Sequence, residues 1–200
     1  MPDSHSPLNT GRLALDQLLS RRSIGALRAP VPSGADLDLI FDAGLRAPDH
    51  GRLRPWRFVV IAGEQKQAYG ELVYAAAQRR GGDNAVMMGE RSRDWVRRMP
   101  MLIAVGCVVR PGNIPEFEQH LSAGAAAMNM LNALHLLGYG GMWVTGANAY
   151  DPEVARALGF EPPSRLVGFL AVGTPAAELP APVRADRSEH VAFWTSPPVR

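Results

Sequence analysis

Apolar positions along this chain follow two periods. Three stretches carry short, nearly unbroken apolar runs: WRFVVIAG from Trp56, MLIAVGCVVR from Met101 and RLVGFLAVGTP from Arg165. Each is bounded by glycine, proline or charge, the signature of a buried strand. GMWVTGA, from Gly141, predicts a shorter strand. Elsewhere apolar residues recur at helical spacing. LALDQLLSRRS places Leu13, Leu15, Leu18 and Leu19 close to that spacing. PSGADLDLIFDAGLRAP opens on Ser33 as a helix cap, sets Leu37, Ile40, Phe41 and Leu45 on one face, and stops at Pro48. EQKQAYGELVYAAAQRR is a further helix. DPEVARALGF is a short one, with Asp151 as cap and Pro152 at its first position. Residues 1–11 read as a flexible tail, residues 81–98 as a mobile surface excursion, and the Pro- and Ala-rich end as an extended tail. Residues 12–200 are expected to form a single domain. Helices alternating with strands predict a layered arrangement of both and leave strand direction open.

The longest helix predicted lies in PEFEQHLSAGAAAMNMLNALHLLGYG, and from residue 116 to 137 it would run about 33 Å. Between Ala123 and Leu137 it is apolar nearly all round, which predicts burial on every side. Asn129, Asn132 and His135 form its one polar stripe, three residues apart. Buried polar groups need partners. These partners lie within the chain, at a subunit interface, or on a cofactor.

Composition narrows the picture. With 46% hydrophobic and 20% charged residues the chain is globular rather than disordered. A net charge of +2 gives no argument for nucleic acid or membrane. Lys66 is the one lysine among 21 basic residues, from genome composition or from selective use of guanidinium for anions. Cys107 is the single cysteine, which excludes an internal disulfide, and its apolar setting reads as an inert core thiol. The N-terminus lacks an apolar leader core and no apolar run reaches spanning length, so a cytoplasmic location is expected. No phosphate-binding glycine loop, G-x-S-x-G elbow, H-E-x-x-H pair or carboxylate team is present. If the protein is an enzyme, a cofactor is expected to carry the chemistry.

Three polar clusters remain. Arg21-Arg22-Ser23 suits a phosphate, with two paired cations and a hydroxyl; it equally suits a solvated helix end. RAPDHGRLRPWRFVVI, from Arg46, crowds Arg46, Arg52, Arg54 and Arg57 around Asp49 and His50 immediately before a strand. GGMWVTGA sets an aromatic, a hydroxyl and glycines at a strand end, or is simply a core strand between turns.

Taken in order, R-R-S, RAPD…PWRFVVI, the small-residue helix, GYGGMW and LVGFLAVGTP resemble the nitroreductase family of FMN-dependent NAD(P)H oxidoreductases, most of all its small YdjA-type members, over roughly residues 12–176. The resemblance implies an α+β fold: a mixed, mainly antiparallel sheet sandwiched by helices, with the long central helix at the interface of an intertwined homodimer. It implies FMN contacts at Arg21, Arg22 and Ser23 (phosphate and ribityl end), at Arg46 and His50, and, from the other subunit, at Trp143, Val144 and Thr145. It implies nicotinamide-nucleotide contacts at Ala133, Leu134, His135, Leu136, Leu137 and Gly138. No catalytic side chain and no metal is implied. NADH or NADPH would pass hydride to flavin N5, and an electron-poor acceptor (a nitroaromatic, a quinone or another metabolite) would then enter the same space in a ping-pong cycle. A non-catalytic flavin-binding sensor or structural module is the alternative.

The chain departs from the wider family at two places. Gly25 stands where many members carry Arg or Lys, and Arg52 and Arg54 stand where many carry Asn and Gln in S-x-N-x-Q-P-W. One cation is lost near the flavin pyrimidine and two appear elsewhere. Arg46, Arg52 or Arg54 is therefore a candidate to stabilise negative charge on reduced flavin.

Overall fold

The computed structural model describes residues 7–178, 180 and 182–194. Three long strands form its centre: β2 (Trp56–Ala62), β3 (Met101–Cys107) and β5 (Arg165–Pro175). β3 lies between the other two, pairing Trp56 with Cys107 on one side and Cys107 with Arg165 on the other. The far edge of β5 carries β4 (Gly140–Val144) and, end to end with it, the two-residue β1 (Leu27–Arg28). Every pairing among the described residues is antiparallel, within the mainly antiparallel sheet expected.

The period of two explains how helices cover both faces. Met101, Ile103, Val105, Leu170 and Val172 point to one side, where they meet α2 (Gly34–Gly44) and α5 (Glu116–Leu136) through Ile40, Ala127, Met130 and Leu134. Leu102, Ala104, Phe169 and Ala171 point to the other, where α3 (Gln65–Arg80), α4 (Ala85–Arg98) and α6 (Pro152–Ala157) supply Tyr69, Val73, Val96 and Val154. β3 is buried along its whole length, so its sequence shows no alternation. Cys107 lies in it fully buried; burial, with the nearby Glu116 charge, pushes its thiol pKa up to about 11.

Four sequence expectations change. Residues 85–98 are not a mobile excursion: they form α4, which packs on α3 and buries Val96. Its Gly89 lets the helices approach, since a Cβ there would stand 2.8 Å from the Tyr74 ring. Residues 7–11 belong to α1 (Pro7–Ser20) rather than to a tail; residues 1–6 lie outside the described residues. Leu45 leaves the apolar face of α2 and is 53% exposed, because the helix has ended at Gly44. α5 is not buried all round in the single chain. Leu121, Met128 and Leu136 stay exposed on it, as do Leu13, Leu15 and Leu19 of α1. α6 follows expectation: the Asp151 carboxylate accepts from the Glu153 and Val154 amides at 3.0 and 3.1 Å.

Candidate functional site

α5 divides the candidate residues into two groups. At its C-terminal end, the Ser20 hydroxyl donates to the Gln17 carbonyl at 2.7 Å. His135 Nε2 lies 2.8 Å from Ser20 Oγ and 2.9 Å from the same carbonyl. A carbonyl only accepts, so Nε2 carries the hydrogen. This docks the end of α1 on the last turn of α5 and starts the Arg21-Arg22-Ser23 segment there. The next residue joins the sheet edge, with the Ile24 amide donating to Gly141 O at 3.0 Å. Arg184 returns from the C-terminal segment and donates to Arg21 O at 3.0 Å and to Leu19 O. Arg22 donates to Pro180 O. Arg21, Arg22 and Ser23 therefore lie beside the strand that carries Trp143 and Val144, within one chain.

Trp143 crosses toward α5, where the edge of its ring lies against Gly124. Its indole N–H is buried and has no partner among the described residues. Gly168, at φ +153°, makes this possible, because a Cβ there would stand 2.3 Å from Trp143 Nε1 and 2.8 Å from Val144 O. Val144 and Thr145 continue into a cavity of about 390 Å³, bounded also by Tyr69, Arg80, Arg91 and Trp95. Burial raises the Tyr69 phenol pKa, so it stays a neutral hydroxyl there.

The second group lies at the N-terminal end of α5. His50 Nδ1 sits 2.7 Å from Glu118 Oε2, and Arg165 Nε 3.6 Å from Glu116 Oε1. His50 opens a tight loop with Gly51 at φ +72°, Arg52 at +56° and Arg54 at +50°. The Arg54 amide donates to Asp49 Oδ2 at 2.7 Å, and Arg57 Nη1 donates to the carbonyls of Arg54 and Trp56 at 3.2 and 2.8 Å. Trp56 Nε1 donates to Gly44 O at 2.9 Å and anchors the loop to α2. Arg57 is thus a backbone brace. Arg46 is exposed near His50.

Glu118 and His135 lie about 26 Å apart along the helix axis at 1.5 Å per residue. His50 is therefore not brought to Arg21–Ser23 in one chain, whereas Arg46, whose amide shares the Ala43 carbonyl with Asn129 Nδ2, sits against the middle of α5. That grouping differs from the expected one, in which Trp143–Thr145 stood apart from the R-R-S motif. The run from Ala133 to Gly138 fares differently again. Leu134 is fully buried in the core and presents no side chain to a ligand, and His135 is engaged with α1. Leu136, Leu137 and Gly138 are exposed. The polar stripe resolves in part: Asn129 Nδ2 donates to Ala43 O at 3.1 Å, while Asn132 Oδ1 is buried without a partner among the described residues. Sequence reasoning missed Glu118, Gly168 and the cavity beside α4. Nothing local marks Glu118, because its partner is 68 residues away.

Among the described residues no cluster of His, Cys, Asp and Glu could hold a metal, and no helix is long and apolar enough to cross a membrane. YdjA of Escherichia coli K12, provisionally named an NAD(P)H nitroreductase, is 37% identical over 163 residues, covering 81% of this chain and 88% of its own. A nitroreductase-like protein from Bacillus cereus superposes with a TM-score of 0.80 at 20% identity, over 92% of this chain and 96% of its own. A nitroreductase from Desulfovibrio desulfuricans, solved in complex with FMN, gives 0.70 at 25% identity, over 92% and 98%. The nitroreductase family model matches residues 18–174. With that match spanning the R-R-S segment, the arginine loop and all five strands, the chain belongs to the nitroreductase family.

Proposed function

We propose that the protein is an FMN-dependent oxidoreductase that takes hydride from NADH or NADPH and passes it to an electron-poor acceptor. The residues fit FMN. Arg21, Arg22 and Ser23 offer two cations and a hydroxyl to the phosphate, and the buried indole N–H of Trp143, beside Gly168, is a donor without a partner among the described residues. Flavin supplies the chemistry, accepting and returning a hydride at N5. The chain binds and orients: Thr145 and Val144 form a wall, and Tyr69 and Trp95 line the neighbouring cavity with apolar surface that excludes water. Arg46, brought to the isoalloxazine with His50, would stabilise negative charge on the reduced ring.

The observation that carries the assembly is the separation of His50 from Arg21–Ser23, about 26 Å along the axis of α5 within one chain. A symmetric pair of antiparallel α5 helices would bring His50 and Arg46 of one copy to Arg21–Ser23 and Trp143–Thr145 of the other. The exposed Leu121, Met128 and Leu136 supply apolar surface for that pairing. The test is direct. The purified protein is expected to be a yellow dimer with one FMN per chain, bleached rapidly by NADH or NADPH without oxygen. Parallel double-reciprocal lines are expected, because reductant and acceptor share one space. A coloured protein that neither nucleotide bleaches would instead be a flavin-binding module without turnover.

A further inference from the structure

We propose that Arg52 and Arg54 form an anion-recognition device at the mouth of the site, so that the ligand entering over the flavin carries a carboxylate or phosphate. This rests on the flavoprotein reading above and adds a ligand class to it. Arg52 and Arg54 are the only two non-glycine residues with positive φ among the described residues, and both lie in one loop of five. Left-handed backbone at such residues costs on the order of 1 kcal/mol each and persists where surrounding structure enforces it. Enforcement is visible here. Asp49 Oδ2 holds the Arg54 amide, Arg57 holds the Arg54 carbonyl, and Gly51 is backed so closely by Ile114 that a Cβ would stand 2.2 Å from its Cδ1.

The loop spends its acidic groups internally. Asp49 is committed to the Arg54 amide, and Glu118 to His50. Neither Arg52 nor Arg54 has an ion-pair partner among the described residues, whereas Arg79, Arg80, Arg93, Arg97, Arg156 and Arg165 all do. Both are exposed. A backbone braced into an unfavourable conformation to present two uncompensated guanidiniums in the loop that His50 opens is suited to an arriving anion. Guanidinium favours carboxylate and phosphate through paired donors. The anion has two possible sources, a carboxylate on the acceptor or the pyrophosphate of the nicotinamide nucleotide.

The variant of choice is R52N/R54N, because Asn tolerates left-handed backbone and the loop keeps its shape. Benzoate and benzamide are titrated into the oxidised holoenzyme, with binding read from the flavin absorbance band; ADP serves as the nucleotide arm. 4-Nitrobenzoate and 4-nitrobenzamide are compared as acceptors. In the wild type, benzoate is expected to bind more tightly than benzamide, and this preference is expected to fade as salt rises. In the variant, benzoate affinity and the KM for 4-nitrobenzoate should each weaken about tenfold, the loss of one charge-assisted contact, while the amides shift little. An unchanged benzoate with weakened ADP supports the same chemistry and assigns the anion to the nucleotide. The proposal is overturned if no anion is affected, if the amides weaken equally, or if the variant loses flavin or shifts its midpoint potential. The last outcome would make these arginines flavin ligands. Wild-type salt dependence needs no variant, so a misfolded mutant leaves the idea open to refutation. A colourless wild type would sink the flavoprotein reading separately.

Discussion

The two ends of α5 are held by different physics. At the C-terminal end Ser20 Oγ and His135 Nε2 converge on the Gln17 carbonyl, and the R-R-S segment is laid against β4 by a backbone contact. At the N-terminal end the partners are carboxylates, Glu118 for His50 and Glu116 for Arg165, beside a loop in left-handed backbone. The first end is built to hold something still. The second is exposed, charged and screened by salt, which suits a surface that meets a diffusing ligand. In the proposed assembly each chain offers two half-sites, and each can be broken separately.

The largest effect is expected at the C-terminal end. Replacing Arg21 and Arg22 by Ala removes both cations offered to the phosphate. At about 1.5 kcal/mol or more per charged contact, FMN binding should weaken at least about a hundredfold. A fluorescence-quenching titration with the purified apoprotein measures it. Unchanged affinity would remove the R-R-S segment from the site.

Mixing chains sharpens the contrast further. R21A/R22A chains carry an intact N-terminal half-site, and R46A/H50A chains an intact C-terminal one. If each flavin is held by opposite ends of two copies, random reassembly should restore about a quarter of the sites, since half the dimers are mixed and each has one wild-type site. Bound flavin counted after refolding the mixture together, against each variant refolded alone, decides it. No recovery in the mixture would mean that both half-sites come from one chain.

A third test concerns the segment that leads from β4 past the N-terminal end. Asp151 is 5% exposed and meets Arg79 at 3.4 Å and Arg80 at 2.7 Å. Burial alone would raise its pKa, but the Val154 amide and the two guanidiniums outweigh that and hold the carboxyl below its usual value. D151N keeps an oxygen to cap α6 and loses the charge. It should cost about 2 kcal/mol near neutral pH, less than for a fully buried pair because the arginines are partly exposed. A depressed carboxylate stabilises the fold above its unfolded pKa of about 3.9, and that contribution disappears as pH falls through the lower folded value. The difference in urea midpoint should therefore be level from pH 8 to about pH 5 and shrink below about pH 4.

Much of this was legible in the sequence, and the rest failed for definable reasons. β3 and β5 stood out because strands buried on both faces are apolar runs, and β2 because residues 58–61 are apolar although the strand lies at the sheet edge. The cap of α6 was readable from Asp151-Pro152. α4 was hidden: Arg91, Arg93, Asp94, Arg97 and Arg98 dominate its composition, and the buried side rests on Gly89, Trp95 and Val96. α5 gave the opposite error. Its small and apolar residues suggested burial on all sides, yet only one side is met within the chain. The site motifs were readable through family resemblance, but their grouping was not. Nothing in Arg21–Ser23 or Arg46–His50 says which end of a 21-residue helix each will reach. That depends on Ser20 finding His135, 115 positions away, and on His50 finding Glu118.

The smallest effect separates the two kinds of anchor. E118Q removes the charge from the His50 pair, whose side chains are 66% and 42% exposed. A contact so open to water contributes about 0–1 kcal/mol. H135L removes a hydrogen bond to the Gln17 carbonyl at the other end and should cost a similar amount, about 1 kcal/mol. At low salt the two variants should look alike by urea denaturation. Raising the ionic strength to about 1 M contracts the screening length to roughly 3 Å, which should abolish the E118Q deficit and leave that of H135L in place. Equal salt sensitivity would mean that the ionic end is held by packing around Ile114 and Gly51 rather than by charge. The left-handed arginines would then be braced from beneath, with the His50–Glu118 pair free to serve an incoming ligand.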